Sequence, residues 1–249
     1  MAGISLQSSQ LDSMGLQYDR RWMVVSTEGK FITQRSHPQM ALIQPKLHGG
    51  QLTLSSFGLE DHIVPLTTKN SHDIKVQVWN DTVKAKHLSK ETDTWLEQTI
   101  GEPCQLVYMP NDEIRQCDLN YAKEGDRTGF ADGFPLLLIS QASLDDLNSK
   151  LKDSVPMKRF RPNVVVIGCN AFAEDTWQTV KINNVHFRII KPCSRCIITT
   201  VDPAIGMVTS PEPLKTLATY RKQGNKVMFG QNVVHDDVGT LTVGDSVLV

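Results

Sequence analysis

Apolar and polar positions alternate over short stretches in the first hundred residues, a pattern typical of half-buried β-strands. Turn-forming residues separate these stretches at regular places, which predicts hairpins. The three predicted hairpins are 21–26 with 30–35 around Thr27-Glu28-Gly29, 41–47 with 51–56 around His48-Gly49-Gly50, and 76–88 around Asn80-Asp81. Successive hairpins with little helix between them favour a barrel or a sandwich.

Helical spacing of apolar residues occurs in three segments, each flanked by capping or breaking residues. The predicted helices are one through Ile100, capped by Ser89 or Thr92 and ended by Gly101; one over 141–151 after Ser140; and one over 211–224, ended by Gly224. Basic Lys150 follows acidic Asp145 and Asp146, as the helix dipole favours.

The second half of the chain returns to strands. These are predicted at 134–140, at 162–168, in a hairpin over 179–190 that turns at Asn183-Asn184, and in a hairpin over 240–249 that turns at Gly244-Asp245. The segment from Asn111 to Asp132 is long and polar, so that it is either a functional loop or a connection between two halves. The chain is therefore predicted to be β-rich, with a first domain over 1–115 and a second over 116–249.

Composition narrows the functional classes. The net charge of −1 supports neither a nucleic-acid duplex nor an anionic membrane as a partner. There is no apolar run of about 18 residues for a membrane span, and the N-terminus lacks the features of a secretory signal, so a cytoplasmic setting is expected. Five cysteines are too few for a disulfide scaffold. Cys104 and Cys169 lie among apolar residues and are expected to be small buried hydrophobes.

The sequence KPCSRCIITTVDP, residues 191–203, holds the remaining chemistry. A redox dithiol is expected at the start of a helix, yet β-branched residues that favour a strand follow Cys196. A structural zinc site needs four ligands, and there is no second CxxC motif. Two readings remain open from spacing alone: one reactive thiolate beside cationic Arg195 and Lys191, or two inert cysteines at a strand edge.

The strings KPCSRCIITTVDPAIG, EPLKTLATYR and FGQNVV resemble the MOSC family (molybdenum-cofactor sulfurase C-terminal domain), in particular its YcbX-like members and the mitochondrial amidoxime-reducing components. The resemblance continues through FRPNVVVIG and FADGFPLLLISQASLDDLN to YDRRWMVVSTEGKFITQRSHPQM near the start. It implies an N-terminal β-barrel-like region packed with a C-terminal MOSC β-barrel.

The resemblance also implies a molybdenum-molybdopterin cofactor and the residues that bind it. Cys196 matches the cysteine that ligates molybdenum, so it is expected to be both the metal ligand and the catalytic residue. The expected cofactor-binding residues are Arg20, Arg161, Asn163, Arg195, Ser194 and Gly133. Phe229-Gly230-Gln231-Asn232 is expected either to close over the site or to form a plain turn.

Two departures from the family pattern bear on these expectations. Relatives usually begin with a strand that carries a Lys-Ser pair ahead of the residues that match Gly3-Ile4, and the absence of this pair predicts a weaker hold on the cofactor phosphate. Some relatives continue into a ferredoxin-type domain, which needs four cysteine ligands. No iron–sulfur cluster is expected within this chain, so the electrons are expected from a separate ferredoxin-type or flavoprotein reductase.

The resemblance thus implies an oxidoreductase that reduces small N-hydroxylated compounds, such as hydroxylamino bases and amidoximes, to amines. Two alternatives stay open. A molybdenum-cofactor carrier or sulfur-transfer protein would use Cys196 without reductase turnover. A non-catalytic β-barrel binding module would have neither metal nor a reactive thiol.

Overall fold

The computed structural model describes residues 1–48, 51–65 and 71–249. In this part of the chain the strands are β1 (Ser8–Asp12), β2 (Gly15–Leu16), β3 (Trp22–Ser26), β4 (Gln44–His48), β5 (Gln51–Ser55), β6 (His62–Pro65), β7 (His72–Val78), β8 (Asp81–His87), β9 (Cys104–Tyr108), β10 (Leu136–Ser140), β11 (Val164–Val166), β12 (Thr179–Ile182), β13 (Val185–Arg195), β14 (Val201–Asp202), β15 (Met207–Val208), β16 (Lys222–Gln223), β17 (Lys226–His235), β18 (Gly239–Thr242) and β19 (Val247–Leu248). The α-helices are α1 (Lys90–Ile100), α2 (Gln141–Lys150) and α3 (Leu214–Tyr220). The fold is β-rich, as the sequence pattern predicts.

The first compact unit consists of Met1–Ile4, Tyr18–Arg115 and Val201–Val208. It contains a four-stranded sheet in the order β3-β9-β8-β7, a three-stranded sheet in the order β4-β5-β6, and the small pair β14-β15. Helix α1 presents Trp95, Leu96 and Ile100 to a core that includes Ile43 and Leu54. The period-2 pattern of the strands and the 3.6-residue period of the helix thus bury one face of each element.

The second compact unit consists of Ser5–Gln17, Gln116–Thr200 and Thr209–Val249. Its main sheet has the order β11-β10-β17-β13-β12-β19, with β16 paired to β17. Strands β10 and β11 run parallel, and the other neighbours along this path are antiparallel. A separate three-stranded sheet, β18-β1-β2, brings the N-terminal residues Ser8–Asp12 beside the C-terminal strand β18.

Several sequence predictions are confirmed. The N-cap of α1 is Ser89, whose side chain accepts from the Thr92 amide, and Gly101 ends the helix with φ 88°. Ser140 caps α2 in the same way. Three of the five predicted hairpins are present as β4–β5, β7–β8 and β12–β13. Part of the first of these turns, Gly49-Gly50, lies outside the described residues.

Other local predictions are wrong in whole or in part. The predicted hairpin over 240–249 does not form, because β18 pairs with β1 while β19 pairs with β12. Helix α3 ends at Tyr220 rather than at Gly224, which instead turns the short β16–β17 hairpin. The predicted hairpin of 21–26 with 30–35 forms only in part: Phe31 bridges Val25 and the Ile32 amide donates to the Val24 carbonyl, but residues 30–35 form no regular strand.

Cys104 and Cys169, which were expected to be small buried hydrophobes, differ in how deeply they are buried. Cys104 is buried, and burial raises the pKa of its thiol to about 12, so the expectation is confirmed there. Cys169 is only half-buried at the edge of the second unit's core. No helix in the described part of the chain is long and apolar enough to span a bilayer.

Candidate functional site

Cys196 lies immediately beyond the end of a long strand of the second unit. Strand β13 ends at Arg195, and a 3-10 helix over Ile197–Thr200 follows Cys196 directly. The Cys196 carbonyl accepts from both the amide (3.1 Å) and the hydroxyl (3.0 Å) of Thr199. The expectation that the strand continues through the β-branched residues after Cys196 is therefore wrong, because the threonine side chains bond back to the chain and stabilise a helical turn instead.

Arg161 and Asn163 lie on a second segment of the same unit. The Asn163 amide donates to the Leu137 carbonyl (2.8 Å), and its side-chain Oδ1 accepts from the Leu137 amide (3.0 Å). This two-way bond anchors the start of β11 to β10. The side-chain oxygen of Asn163, one of the expected cofactor-binding residues, is thus already bound to the backbone of β10.

Arg161 adopts a left-handed backbone conformation with φ 57°. Such a conformation costs an L-residue about 1–2 kcal/mol, and Pro162, which follows, favours an extended residue before it. Non-glycine residues held this way cluster at functional sites, where the surrounding structure compensates the strain. Arg20 in the first unit is also left-handed, with φ 50°, and it forms an ion pair with Asp19 (3.5 Å).

Two guanidinium groups tie the Arg161 segment to the Cys196 segment. Arg195 donates through Nη2 to the Phe160 carbonyl (2.6 Å), and Arg159 donates through Nη1 to the Thr200 carbonyl (3.1 Å). The two bonds run in opposite directions between 159–160 and 195–200. They bring the segments that carry Arg161 and Asn163 beside the segments that carry Ser194, Arg195 and Cys196.

The Arg195 side chain is held on several sides. Its guanidinium lies over the Phe160 ring (5.6 Å to the centroid), and Nη1 donates to the Cys193 sulfur at 3.1 Å. Its Nε is buried and has no acceptor among the described residues. The cationic neighbour of Cys196 in sequence therefore contacts the sulfur of Cys193. A buried donor without an acceptor is costly, so this nitrogen suits an acceptor supplied from outside the protein.

The remaining expected cofactor residues are placed less closely. Ser194 is exposed and pairs with Met228 in the ladder between β13 and β17. Gly133 lies in the same unit, and a Cβ built on it would have no atom within 4 Å. Arg20 belongs to the other compact unit. The structure thus gathers the segments of 161, 163, 194, 195 and 196, with Gly133 in the same unit.

Residues Phe229–Asn232 form neither a turn nor a cover. They lie within strand β17, where Phe229 is buried and packs on Phe160 with ring centroids 4.5 Å apart. Both expectations for this segment are wrong, because its pairing partners β10 and β13 are distant in sequence. Phe229 nonetheless supports the site, because it packs on Phe160, the residue that precedes Arg161.

The polar loop over 111–132 is organised by its own side chains. Gln116 donates to the carbonyls of Cys117, Lys123 and Asp126. Arg188 joins the loop to β13 through Asp126 (2.6 Å). Lys191, five residues before Cys196, lies over the rings of Tyr121 (4.0 Å) and Phe134 (5.1 Å).

Sequence reasoning missed that Arg159 donates to the Thr200 carbonyl and that the Cys193 sulfur accepts from Arg195. Arg159 lies only two residues before Arg161, but nothing in its spacing points to a carbonyl 41 residues away. Within residues 1–48, 51–65 and 71–249, no group of three or more His, Cys, Asp or Glu side chains is arranged to hold a metal ion. The site thus offers one thiol ligand, that of Cys196, on a segment bonded to arginine-bearing segments. This arrangement suits a metal whose other ligands and negative charge come from a bound cofactor.

Comparison with known families matches both parts of the chain. The family described as the MOSC domain matches residues 125–248. The family described as the MOSC N-terminal beta barrel domain matches residues 1–103. Together these matches include every residue of the candidate site.

Individual relatives match over nearly the full chain. Human mitochondrial amidoxime-reducing component 1 is 34% identical over 264 residues, which cover 98% of this chain and 78% of the human protein. Rat mitochondrial amidoxime reducing component 2 is 33% identical, with the same coverage of 98% and 78%. A rice molybdenum cofactor sulfurase is 30% identical over 95% of this chain, but the match covers only 31% of that larger protein.

Proposed function

Because the chain belongs to the MOSC-domain family, we propose that it binds a molybdenum cofactor through Cys196 and reduces N-hydroxylated compounds to amines. The names of the relatives support the chemistry, since amidoximes are N-hydroxylated compounds and the rice relative is a molybdenum cofactor sulfurase. What we propose for this chain is that it catalyses a reduction and that its substrates are N-hydroxylated compounds.

One observation carries the proposal. The left-handed Arg161 stands on a segment that the Arg195–Phe160 and Arg159–Thr200 bonds fasten to the segment of Cys196. Folding here holds a strained arginine on a segment that is bonded to the segment of the half-buried Cys196. An anionic group with a soft metal would use both.

The residues present fit such a group. Cys196 offers a soft sulfur ligand, the ligand type that suits metals of high affinity for sulfur. The buried Nε of Arg195 lacks an acceptor among the described residues, which an anionic oxygen would supply. The open space beside Gly133 would let a ligand approach the backbone.

When bound, the cofactor would supply a metal centre at which a hydroxylamine nitrogen loses its oxygen, with two electrons and two protons converting R–NHOH into R–NH2 and water. The protein would contribute the thiolate of Cys196 and the cations Arg161 and Arg195, and would orient the N–O bond. The electrons are expected from a separate ferredoxin-type or flavoprotein donor.

The experiment is a turnover assay on protein from a host that makes the cofactor. An amidoxime and a hydroxylamino-substituted base are each supplied with a chemical reductant, and the amine is measured by mass spectrometry. We expect amine from the native chain and from Cys169→Ala, which changes a half-buried cysteine outside the site. We expect none from Cys196→Ala. Full turnover by Cys196→Ala at native metal content would sink the assignment.

The match to the rice sulfurase favours one second candidate, a cofactor carrier or sulfur-transfer protein. In that case Cys196 would accept a persulfide or the cofactor without reductive turnover. Mass spectrometry of the Cys196 peptide separates the two: a persulfide on Cys196, together with no amine from a metal-loaded chain, would favour transfer over reduction.

A further inference from the structure

Cys193 and Cys196 differ in what their sulfur atoms do. The Cys193 sulfur accepts from Arg195 Nη1 at 3.1 Å. In the described part of the chain, no hydrogen bond reaches the Cys196 sulfur, although its carbonyl is bound by Thr199. The two cysteines of the motif thus have separate tasks: one sulfur is used within the protein, and the other remains available to a ligand.

Strand geometry explains why Cys193 reaches Arg195. Residues two apart on a strand share a face, and the register of β13 shifts between Pro192 and Ser194, where the ladder to β17 is irregular. The half-buried Cys193 packs against the apolar cluster that contains Phe160 and Phe229. This packing fixes the position of the Cys193 sulfur beside the Arg195 guanidinium.

We propose that Cys193 is a positioning residue that fixes the Arg195 guanidinium for the cofactor. Its sulfur holds Nη1, the Phe160 carbonyl holds Nη2 and the Phe160 ring holds the guanidinium plane. With all three in place, the guanidinium is held in one orientation, and its Nε lacks an acceptor among the described residues. This inference rests on the proposed role of Arg195 in cofactor binding.

The sulfur is the contact of these three that a point substitution removes most cleanly. The Phe160 carbonyl belongs to the backbone, and the Phe160 ring is part of the core. Cys193→Ala deletes the acceptor and little volume, whereas Cys193→Ser keeps an acceptor on the same carbon. If Cys193 positions Arg195, the alanine and serine variants should differ in cofactor content. If Cys193 only fills space, the two variants should behave alike.

The test is a double-mutant cycle of Cys193→Ala and Arg195→Met, with molybdenum and pterin per chain as the first readout. We expect Cys193→Ala to lower cofactor content at limiting supply by about threefold to tenfold, the range for losing one hydrogen bond of ordinary strength, since sulfur is a weak acceptor. Cys193→Ser should recover most of it. In the Arg195→Met background, Cys193→Ala should have no further effect. Cys169→Ala, the matched control, should leave cofactor content unchanged.

A second readout uses the cofactor-free chain. Hydrogen exchange of the segment 157–163 reports how firmly the Arg195 bond to the Phe160 carbonyl holds it. We expect faster exchange in Cys193→Ala and in Arg195→Met, with no additional increase in the double variant. Cys169→Ala should exchange at the native rate.

Unchanged cofactor content and exchange in Cys193→Ala, or an undiminished effect of that change in the Arg195→Met background, would overturn the positioning role. If the native chain itself takes up no molybdenum, the proposed function fails. The role of Cys193 in holding Arg195 is then judged on hydrogen exchange, so that the two failures remain distinguishable.

Discussion

At the scale of single residues, the backbone of Arg161 ties conformation to the proposed chemistry. Its φ of 57° lies where only glycine is free of strain, and yet the position carries a long cationic side chain. Asn183 has a similar φ of 53°, but it lies in the turn between β12 and β13, where asparagine tolerates this conformation. The two positions form a matched pair for separating strain from function.

We expect Arg161→Gly to be more stable than Arg161→Ala by about 1 kcal/mol, because alanine keeps the strained Cβ and glycine does not. Both should lose cofactor, since both lack the guanidinium. Denaturant unfolding and molybdenum content measure the two effects. Asn183→Gly should leave cofactor content unchanged. Native cofactor content in Arg161→Gly would contradict the role of the side chain.

Asp237 gives the second residue-scale prediction. The His186 amide and the His186 ring both donate to its carboxylate, and these bonds hold the pKa of Asp237 below its usual range. A carboxyl with a depressed pKa stabilises the fold above its unfolded pKa of about 3.9 and loses that contribution as the pH falls through the folded value.

Asp237→Asn should therefore be less stable than the native chain at neutral pH, with the difference shrinking in acid. Thermal unfolding between pH 2.5 and 7 measures it. A stability difference that is undiminished at pH 2.5 would show that this bond is not the cause.

At the scale of elements, strand β17 depends on a glycine in its interior. Gly230 has φ 78°, and a Cβ built on it would lie 2.6 Å from Ile139 Cγ1 and 2.9 Å from the Leu138 carbonyl. Both contacts are in β10, its ladder partner. Only glycine allows β17 and β10 to approach this closely. The absence of a side chain at Gly230 therefore sets the spacing of the two strands next to Phe229.

Gly230→Ala should cost about 2–5 kcal/mol, from backbone strain together with overpacking against β10. Gly244→Ala is the matched control. Gly244 has φ 100°, but nothing lies within 4 Å of its Cβ position, so only backbone strain of about 1–2 kcal/mol is expected. Urea unfolding gives both values. Equal losses would mean that the close approach to β10 does not matter.

Elements that local signals define were predictable from the sequence. The Ser89 and Gly101 caps of α1 and the turn at Asn80 act over a few residues, and patterning shows them directly. The close approach at Gly230 and the pairing of β18 and β19 were not, because their partners lie far along the chain. In the candidate site, the motif resemblance pointed to Arg161 and Cys196, whereas the bonds that join their segments depend on contacts that no spacing reveals.

At the scale of the whole molecule, the chain passes between two compact units more than once. The N-terminal residues Ser5–Gln17 belong to the second unit, and Val201–Val208, soon after Cys196, belong to the first. Leu11 on β1 is 4% exposed in the core that includes Leu138 and Phe187. The stability of the second unit thus depends on residues at the opposite end of the sequence.

Leu11→Ala should destabilise the second unit by about 2–5 kcal/mol, as large-to-small core changes do. Hydrogen exchange should show the loss in β10 and β17. Leu6→Ala, at a position 43% exposed, should have little effect. Native protection of β10 and β17 in Leu11→Ala would contradict the membership of β1 in this core.

The most direct test of the central claim is molybdenum per chain, measured by elemental analysis on protein from a cofactor-competent host. The comparison is between the native chain, Cys196→Ala and Cys169→Ala. The account predicts nearly one molybdenum per chain in the native protein and in Cys169→Ala, and a loss of most of it in Cys196→Ala. Equal molybdenum in the native chain and in Cys196→Ala, or none in the native chain, would contradict it.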